Sequence, residues 1–215
     1  MHGIFITFEG IEGSGKSTLL YNVAAAMRRT GLDPLLTREP GGTSLGVALR
    51  KVLLNPEMEE ISSVAELMLF AADRAQHVSR VIKPALEEGQ IVLCDRFSDA
   101  TAAYQGYGRK IPLKVIAAID QLATMGVKPH MTVLLDLSVD TGLTRARTRN
   151  DQSSDASESR IDEEEMEFHR RVRDGYLELS GNEPDRFIVV DAMEKPDQLS
   201  EQVVKELRLR FPHVF

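Results

Sequence analysis

Glycines, a lysine and a hydroxyl at fixed spacing are the first sign of chemistry in this chain. Gly10, Ile11, Glu12, Gly13, Ser14, Gly15, Lys16 and Ser17 satisfy G-x-x-x-x-G-K-[ST], the pattern of a phosphate-binding P-loop. Glycines let successive backbone N–H groups point inward at phosphate oxygens with no Cβ in the way. A helix opening at Ser17 adds the positive end of its dipole. Lys16 reaches the β- and γ-phosphates, and the Ser17 hydroxyl can hold Mg2+. Residues 10 to 18, closing on Thr18, are therefore the candidate site for ATP. One residue is out of character: Glu12 sets a carboxylate in a cradle built for anions.

Other groups suit a second phosphate. The apolar run IVLCD ends on Asp95, and Arg96 follows immediately. Such a pair puts a metal-directed carboxylate beside a cation, as an acceptor phosphate near Mg2+ requires, or it is a structural ion pair at a strand end. TREPGGT, residues 37 to 43, carries Arg38, Glu39 and Pro40 on a sharp turn. DRFSDATAAYQGYGR, residues 95 to 109, crowds hydroxyls, an amide and two tyrosines together. Arg145, Arg147 and Arg149 precede the polar stretch NDQSSDASES, and Arg160 follows it. That stretch reads as a mobile surface loop and the whole of about 143 to 161 as a short arginine-rich lid, with an amphipathic helix resuming at about Asp162. No N-K-x-D sequence is present, which argues against a guanine-nucleotide switch.

Positioning these groups falls to short apolar runs separated by helical patterns. Ile4–Phe8, Leu35–Thr37, Ile91–Cys94, Thr132–Leu135 and Phe187–Val190 read as strands, and the last three are followed by Asp95, Asp136 and Asp191. Nearly continuous apolar strands fit a parallel sheet covered on both faces, with ligands beyond its carboxyl edge. The expected fold class is α/β: a three-layer α/β/α P-loop domain, residues 1 to 215, with about five parallel strands flanked by helices. The longest helical signal spans about Val64 to Glu88, with Met68, Ala71, Ala75, Val78 and Ile82 as its expected buried stripe. Phe70 and Arg74 share an edge of that helix, one turn apart.

The chain has 215 residues, 42% hydrophobic and 27% charged, enough for one substantial core. A net charge of -7 argues against bulk nucleic-acid or anionic-membrane binding. A single cysteine, no signal-peptide pattern and no long apolar run point to the cytoplasm.

Taken in order, FEGIEGSGKST, TREPGGT, LFAADRAQH, DRFSDATAAYQG, LTRARTR and FIVVDA resemble the thymidylate kinase family of nucleoside monophosphate kinases. The resemblance implies transfer of the γ-phosphoryl group of MgATP to dTMP, giving dTDP and ADP in dTTP biosynthesis. It implies Phe70 stacked on thymine, Arg74 bonded to the base and Thr101 facing it. Arg96, with Arg38, would clamp the acceptor phosphate, while Tyr104 crowds the sugar 2′ position and Gln105 helps hold the nucleotide. Glu39 and Pro40 belong to the same substrate wall, and Ser17 with Asp95 to the metal. Ala100 departs from the family's usual polar pair in this segment. A homodimer is implied as well.

The resemblance also frames Glu12. With no arginine in the loop, the lid arginines, Arg147 and Arg149 foremost, would close over the donor as catalytic cations beside Lys16 and Arg96. Glu12 would hold Mg2+ through water, pair with a lid or acceptor-side arginine, or point to solvent. Competing readings are a kinase for another monophosphate or a nucleoside, and a nucleotide-binding module without transfer.

Overall fold

A computed structural model describes residues 3–152 and 159–214. Five strands form its centre: β1 (Ile4–Glu9), β2 (Leu35–Arg38), β3 (Ile91–Asp95), β4 (Met131–Asp136) and β5 (Phe187–Asp191). They lie parallel in the order β2-β3-β1-β4-β5. Side chains alternate across the sheet: Ile4, Ile6, Phe8 and Leu93 enter one apolar cluster, and Phe5, Val92 and Cys94 the other. Both faces are covered, which is why the strands read as unbroken apolar runs. Phe8 is in register with Asp95, and β1 lies between β3 and β4, so the loops leaving β1 and β3 open side by side at the carboxyl edge.

Helices flank this sheet. α1 (Lys16–Arg28) starts from Gly15, whose φ of 90° needs a residue without Cβ, and buries Leu19, Leu20, Val23, Ala24 and Met27. α2 (Ser44–Leu54) and α3 (Ser63–His77) are capped by the Thr43 and Ser62 side chains. A π-helical turn, Val78–Ile82, joins α3 to α4 (Lys83–Glu87), so the long helix expected from sequence is one rod in three pieces. After β3 come α5 (Ser98–Thr101), a π-helical stretch (Ala102–Gly108) and α6 (Leu113–Thr124). α7 (Val139–Gln152), α8 (Met166–Asn182) and α9 (Pro196–Arg210) complete the order. Among the described residues no helix is long and apolar enough to cross a membrane.

Two expectations need correction. The stripe Met68, Ala71, Ala75, Val78, Ile82 is buried only at Val78 and Ile82, and Met68 is 51% exposed. The inward face of α3 carries Glu66, Leu67, Asp73, Arg74 and His77 instead. That face is buried by ionic partners from other segments, Arg109 and Arg160 on Glu66 and Glu39 on Arg74 and His77, and an apolar period alone cannot tell a core face from an outward patch. The helix expected at Asp162 begins at Met166. Residues 160 to 162 are held out of helix by tertiary bonds, with Arg160 on the Leu53 carbonyl and on Glu66, and Asp162 on Arg149. The expected loop at 150–159 falls largely on residues 153–158, outside the described residues.

Candidate active site

The glycine loop bends where its residues allow. Gly10, Gly13 and Gly15 all have positive φ, and a Cβ on Gly13 would lie 2.1 Å from the Gly142 carbonyl oxygen of α7. The loop and the first turn of α7 therefore meet backbone to backbone. Lys16 Nζ donates to the Ile11 carbonyl at 2.8 Å and lies 3.4 Å from Ser14 Oγ, curled over its own loop. Burial, then the Arg96 charge, lower its pKa to about 8. At the loop's far end the Ser17 hydroxyl donates to Asp95. These two oxygen donors face each other across β1 and β3, a hard donor set suited to Mg2+, which keeps most of its shell for water and phosphate. Among the described residues no cluster of three or more His, Cys, Asp or Glu offers a fuller metal cage.

Arg96 is the hub between the loop and the rest. Its φ of 69° is a left-handed conformation that a non-glycine residue adopts only under constraint. The constraint is visible: its Nη1 donates to the Gly10 carbonyl at 3.0 Å and to Tyr176 Oη at 3.1 Å, and its Nη2 to Glu12 Oε1 at 2.9 Å and Tyr104 Oη at 3.0 Å. The Tyr104 hydroxyl donates onward to Glu12 Oε1 at 2.5 Å, and the Tyr176 hydroxyl to Glu9 Oε2 at 2.7 Å. Burial alone raises the Glu12 pKa, but His169, Arg96, Lys16 and Tyr104 together outweigh it and hold the carboxyl well below the usual range. Of the fates open to Glu12, the structure shows pairing with an arginine, Arg96.

Glu9 anchors the same corner from beneath. Its Oε1 accepts the Phe97 backbone N–H at 2.7 Å, so the end of β1 fixes the chain just after Arg96. Burial, then the Asp99 charge, push its carboxyl up to about 7.

A second set of bonds is built round Arg74, whose side chain is nearly inaccessible. It reaches Glu39 Oε2 at 2.9 Å, Thr101 Oγ1 at 2.8 Å, Asp120 Oδ1 at 3.1 Å and the Phe97 carbonyl at 2.9 Å. Glu39, beside the cis Pro40 peptide, also takes His77 Nδ1 at 2.9 Å. Thus Glu39 holds Arg74 in place, and Arg74 in turn holds Thr101. Gln105 donates to the buried Glu66 at 2.8 Å, which Arg109 and Arg160 bind as well.

A cleft of about 360 Å³ joins the two halves. Its walls bring together Glu12, Gly13, Lys16 and Ser17 of the loop with Arg38, Glu39, Pro40, Phe70, Arg74, Asp95, Arg96, Thr101, Tyr104 and Gln105. Gly10, Ile11, Ser14 and Gly15 of the loop and Thr18 in the first turn of α1 are not among the lining residues. The lid arginines part company. Arg149 lines the cleft beside Asp162, whereas Arg147 is exposed away from it and Arg145 bonds the Ala192 carbonyl. Arg160, too, is committed elsewhere. Ala100 does line the cleft.

Sequence reasoning passed over Glu9, Glu66, Asp120, His169 and Tyr176. Glu9 had a signal, since it ends its strand as Asp95, Asp136 and Asp191 end theirs. His169 and Tyr176 lie seven residues apart on one face of α8 and had none.

The thymidylate kinase family model matches residues 8–203. The chain belongs to the thymidylate kinase family. A thymidylate kinase of Trichlorobacter lovleyi is 52% identical over 200 residues, covering 93% of this chain and 94% of that one. One from Desulfovibrio desulfuricans is 50% identical over 91% of each. The crystal structure of thymidylate kinase from Ehrlichia chaffeensis superposes with a TM-score of 0.76 at 33% identity, over 96% of this chain and 99% of that one. Membership makes the chain a phosphotransferase, a nucleoside monophosphate kinase that draws on a nucleotide donor, and gives its sheet the P-loop NTPase fold.

Proposed function

We propose that this member transfers the γ-phosphoryl group of MgATP to dTMP, giving dTDP and ADP. One observation supports the assignment of roles: a single cleft is lined by the phosphate loop with Lys16, by Phe70, Arg74 and Thr101, and by Arg96, which bonds Glu12 of the loop and Tyr104. The donor phosphates lie along residues 10–18. Mg2+, held by Ser17 and Asp95, supplies charge neutralisation at the donor phosphates.

The protein's own groups do the rest. Lys16 leaves the Ile11 carbonyl for the donor's terminal phosphates. Phe70 offers an aromatic face to thymine, Arg74 and Thr101 a polar edge, and Tyr104 bulk beneath the sugar. Arg96 and Arg38 meet the acceptor phosphate, for which guanidinium forks are suited. Its second pKa is about 6, so the attacking oxygen is already deprotonated at neutral pH and no general base is needed. Arg149 is the lid cation nearest the transferring group. Positioning and charge compensation account for the catalysis.

The test is ADP formation from MgATP with dTMP, dUMP, dCMP, AMP, GMP and thymidine in parallel. Strong turnover with dTMP, weak with dUMP and none with thymidine is expected; preference for another acceptor contradicts the base assignment.

A homodimer in the cytoplasm completes the proposal. α3 packs between α2 and α6, and these helices expose Val64, Met68 and Leu122, the last at 82%. Apolar side chains so placed fit burial against a second copy, and light scattering of Met68→Glu beside the unaltered protein tests it. The single buried thiol of Cys94 fits a reducing compartment.

A further inference from the structure

His169 helps hold the Glu12 carboxyl low, yet the proposed reaction gives it no task. It is 1% exposed, and neither of its ring nitrogens has a hydrogen-bond partner. Its Nδ1 faces Glu12 Oε2 across 3.6 Å, and that oxygen is also buried and unpartnered. Two complementary orphans facing each other are unusual, because buried polar groups are nearly always satisfied. At 3.6 Å the pair is beyond hydrogen-bond range, yet a shift of well under 1 Å would join them.

The competing claims on Arg96 supply a reason for the shift. Both terminal nitrogens of Arg96 are already spent on Gly10, Tyr176, Glu12 and Tyr104. An acceptor phosphate can take this fork only by displacing something, and Glu12 is the anion that competes with it. A displaced Glu12 keeps Tyr104 on its Oε1 and has two further neighbours for its other oxygen. One is Lys16, whose charge it already feels and which the donor phosphates need. The other is His169, held by α8, the helix that also presents Phe168 edge-on to Tyr104.

We infer that His169 is a positioning residue that accepts custody of Glu12: its Nδ1–H donates to Glu12 Oε2 when the acceptor phosphate engages Arg96, keeping the carboxylate off both that phosphate and Lys16. The neutral imidazole can donate this bond, so no protonation change is involved. The inference rests on the proposed function, since it needs an acceptor phosphate at Arg96.

The experiment compares His169→Phe, which keeps the ring and removes the donor, with His169→Gln, which restores an N–H donor. Each is made in the native and the Glu12→Gln background, with melting temperature measured for all. In the native background His169→Phe should raise KM for dTMP ~10-fold, the scale of one charge-assisted hydrogen bond, with KM for ATP within about twofold. His169→Gln should recover most of the loss. The ~10-fold penalty should largely vanish beside Glu12→Gln, because the two residues act on each other. Equal penalties in both backgrounds, or native constants for His169→Phe, would overturn the inference. A variant-free check uses imidazole NMR of the unaltered protein: the His169 Nδ1 proton should become exchange-protected when dTMP is added, and no change overturns the inference equally. Failure of the unaltered protein to turn over dTMP at all would instead overturn the functional reading beneath it.

Discussion

Glu12 Oε1 lies 2.9 Å from Arg96 Nη2, so the phosphate loop and the strand-end arginine are tied by a largely buried ion pair. The carboxylate that looks misplaced in an anion cradle thus orients a cation. Breaking one partner of such a pair leaves the other charge buried and uncompensated. Glu12→Ala should therefore lower the melting temperature by the several degrees that about 3 kcal/mol implies in a chain of this size. Thermal unfolding with and without dTMP checks this: the deficit should narrow when the acceptor phosphate takes Glu12's place on Arg96, and an unchanged melting temperature counts against it.

Arg96 and Lys16 should separate the two ends of the cleft. Arg96→Ala is expected to raise KM for dTMP ~30-fold or more while KM for ATP moves within about threefold, as loss of a charged fork on the acceptor side requires. Lys16→Ala should abolish turnover with melting temperature close to that of the unaltered protein, because its ammonium bonds only the loop itself. Calorimetric titration of each nucleotide onto each variant tells the two sides apart.

The lid arginines differ in position. Arg149 lines the cleft and Arg147 does not. Arg149→Ala should lower kcat ~10-fold or more, the effect of losing one cation near the transferring group, and Arg147→Ala by less than about threefold. Reversal of that order in single-turnover measurements would mean that a different lid placement carries the chemistry.

Lys16 sets a pH limit on donor binding. Its pKa is lowered to about 8 by burial and Arg96, and donor phosphates raise it again. A bound state with the higher pKa is favoured fully below about 8 and loses its advantage as pH rises beyond. ATP affinity should therefore decline from pH 8 to pH 9.5, and Lys16→Arg, charged throughout, should flatten the decline even if it binds more weakly. Fluorescence titration over that range is the check.

Glu9 gives stability the opposite slope to an ordinary salt-bridged acid. Its folded pKa, about 7, is above the ordinary value of 4.5. The folded state holds this proton where the unfolded state has lost it, so the contribution is fully present below 4.5 and lost as pH rises through 7. Relative to Glu9→Gln, the unaltered protein should lose several degrees of melting temperature between pH 5 and pH 8, since a shift from 4.5 to about 7 is worth ~2–3 kcal/mol over that window and each kcal/mol moves a chain this size by ~2–4 °C. A flat difference between the two contradicts the assignment.

Much of this architecture was legible because it is local. The strand ends, the glycine loop and the opening of α1 are written in short apolar runs and residues with special backbone freedom, and they fell within a residue or two of their expected limits. The ordered motifs carried the family. What escaped was set by tertiary pairing. Glu66 and Asp73 sit on a helix face that sequence periodicity assigns to solvent, yet they are buried because arginines, an amide and backbone N–H groups from distant segments meet them. Arg160 looked like a lid cation until its partners, Leu53 and Glu66, came from α2 and α3. Separations of 94 and 107 residues leave no mark on a local pattern.

The most direct measurement follows the phosphorus itself. Incubating the protein with MgATP labelled in the γ-phosphate should carry the label onto dTDP when dTMP is present, with one ADP formed per dTDP and little inorganic phosphate. Label released as inorganic phosphate at the same rate with or without dTMP would contradict the account, because it would mean a donor site that does not serve the acceptor wall across the cleft.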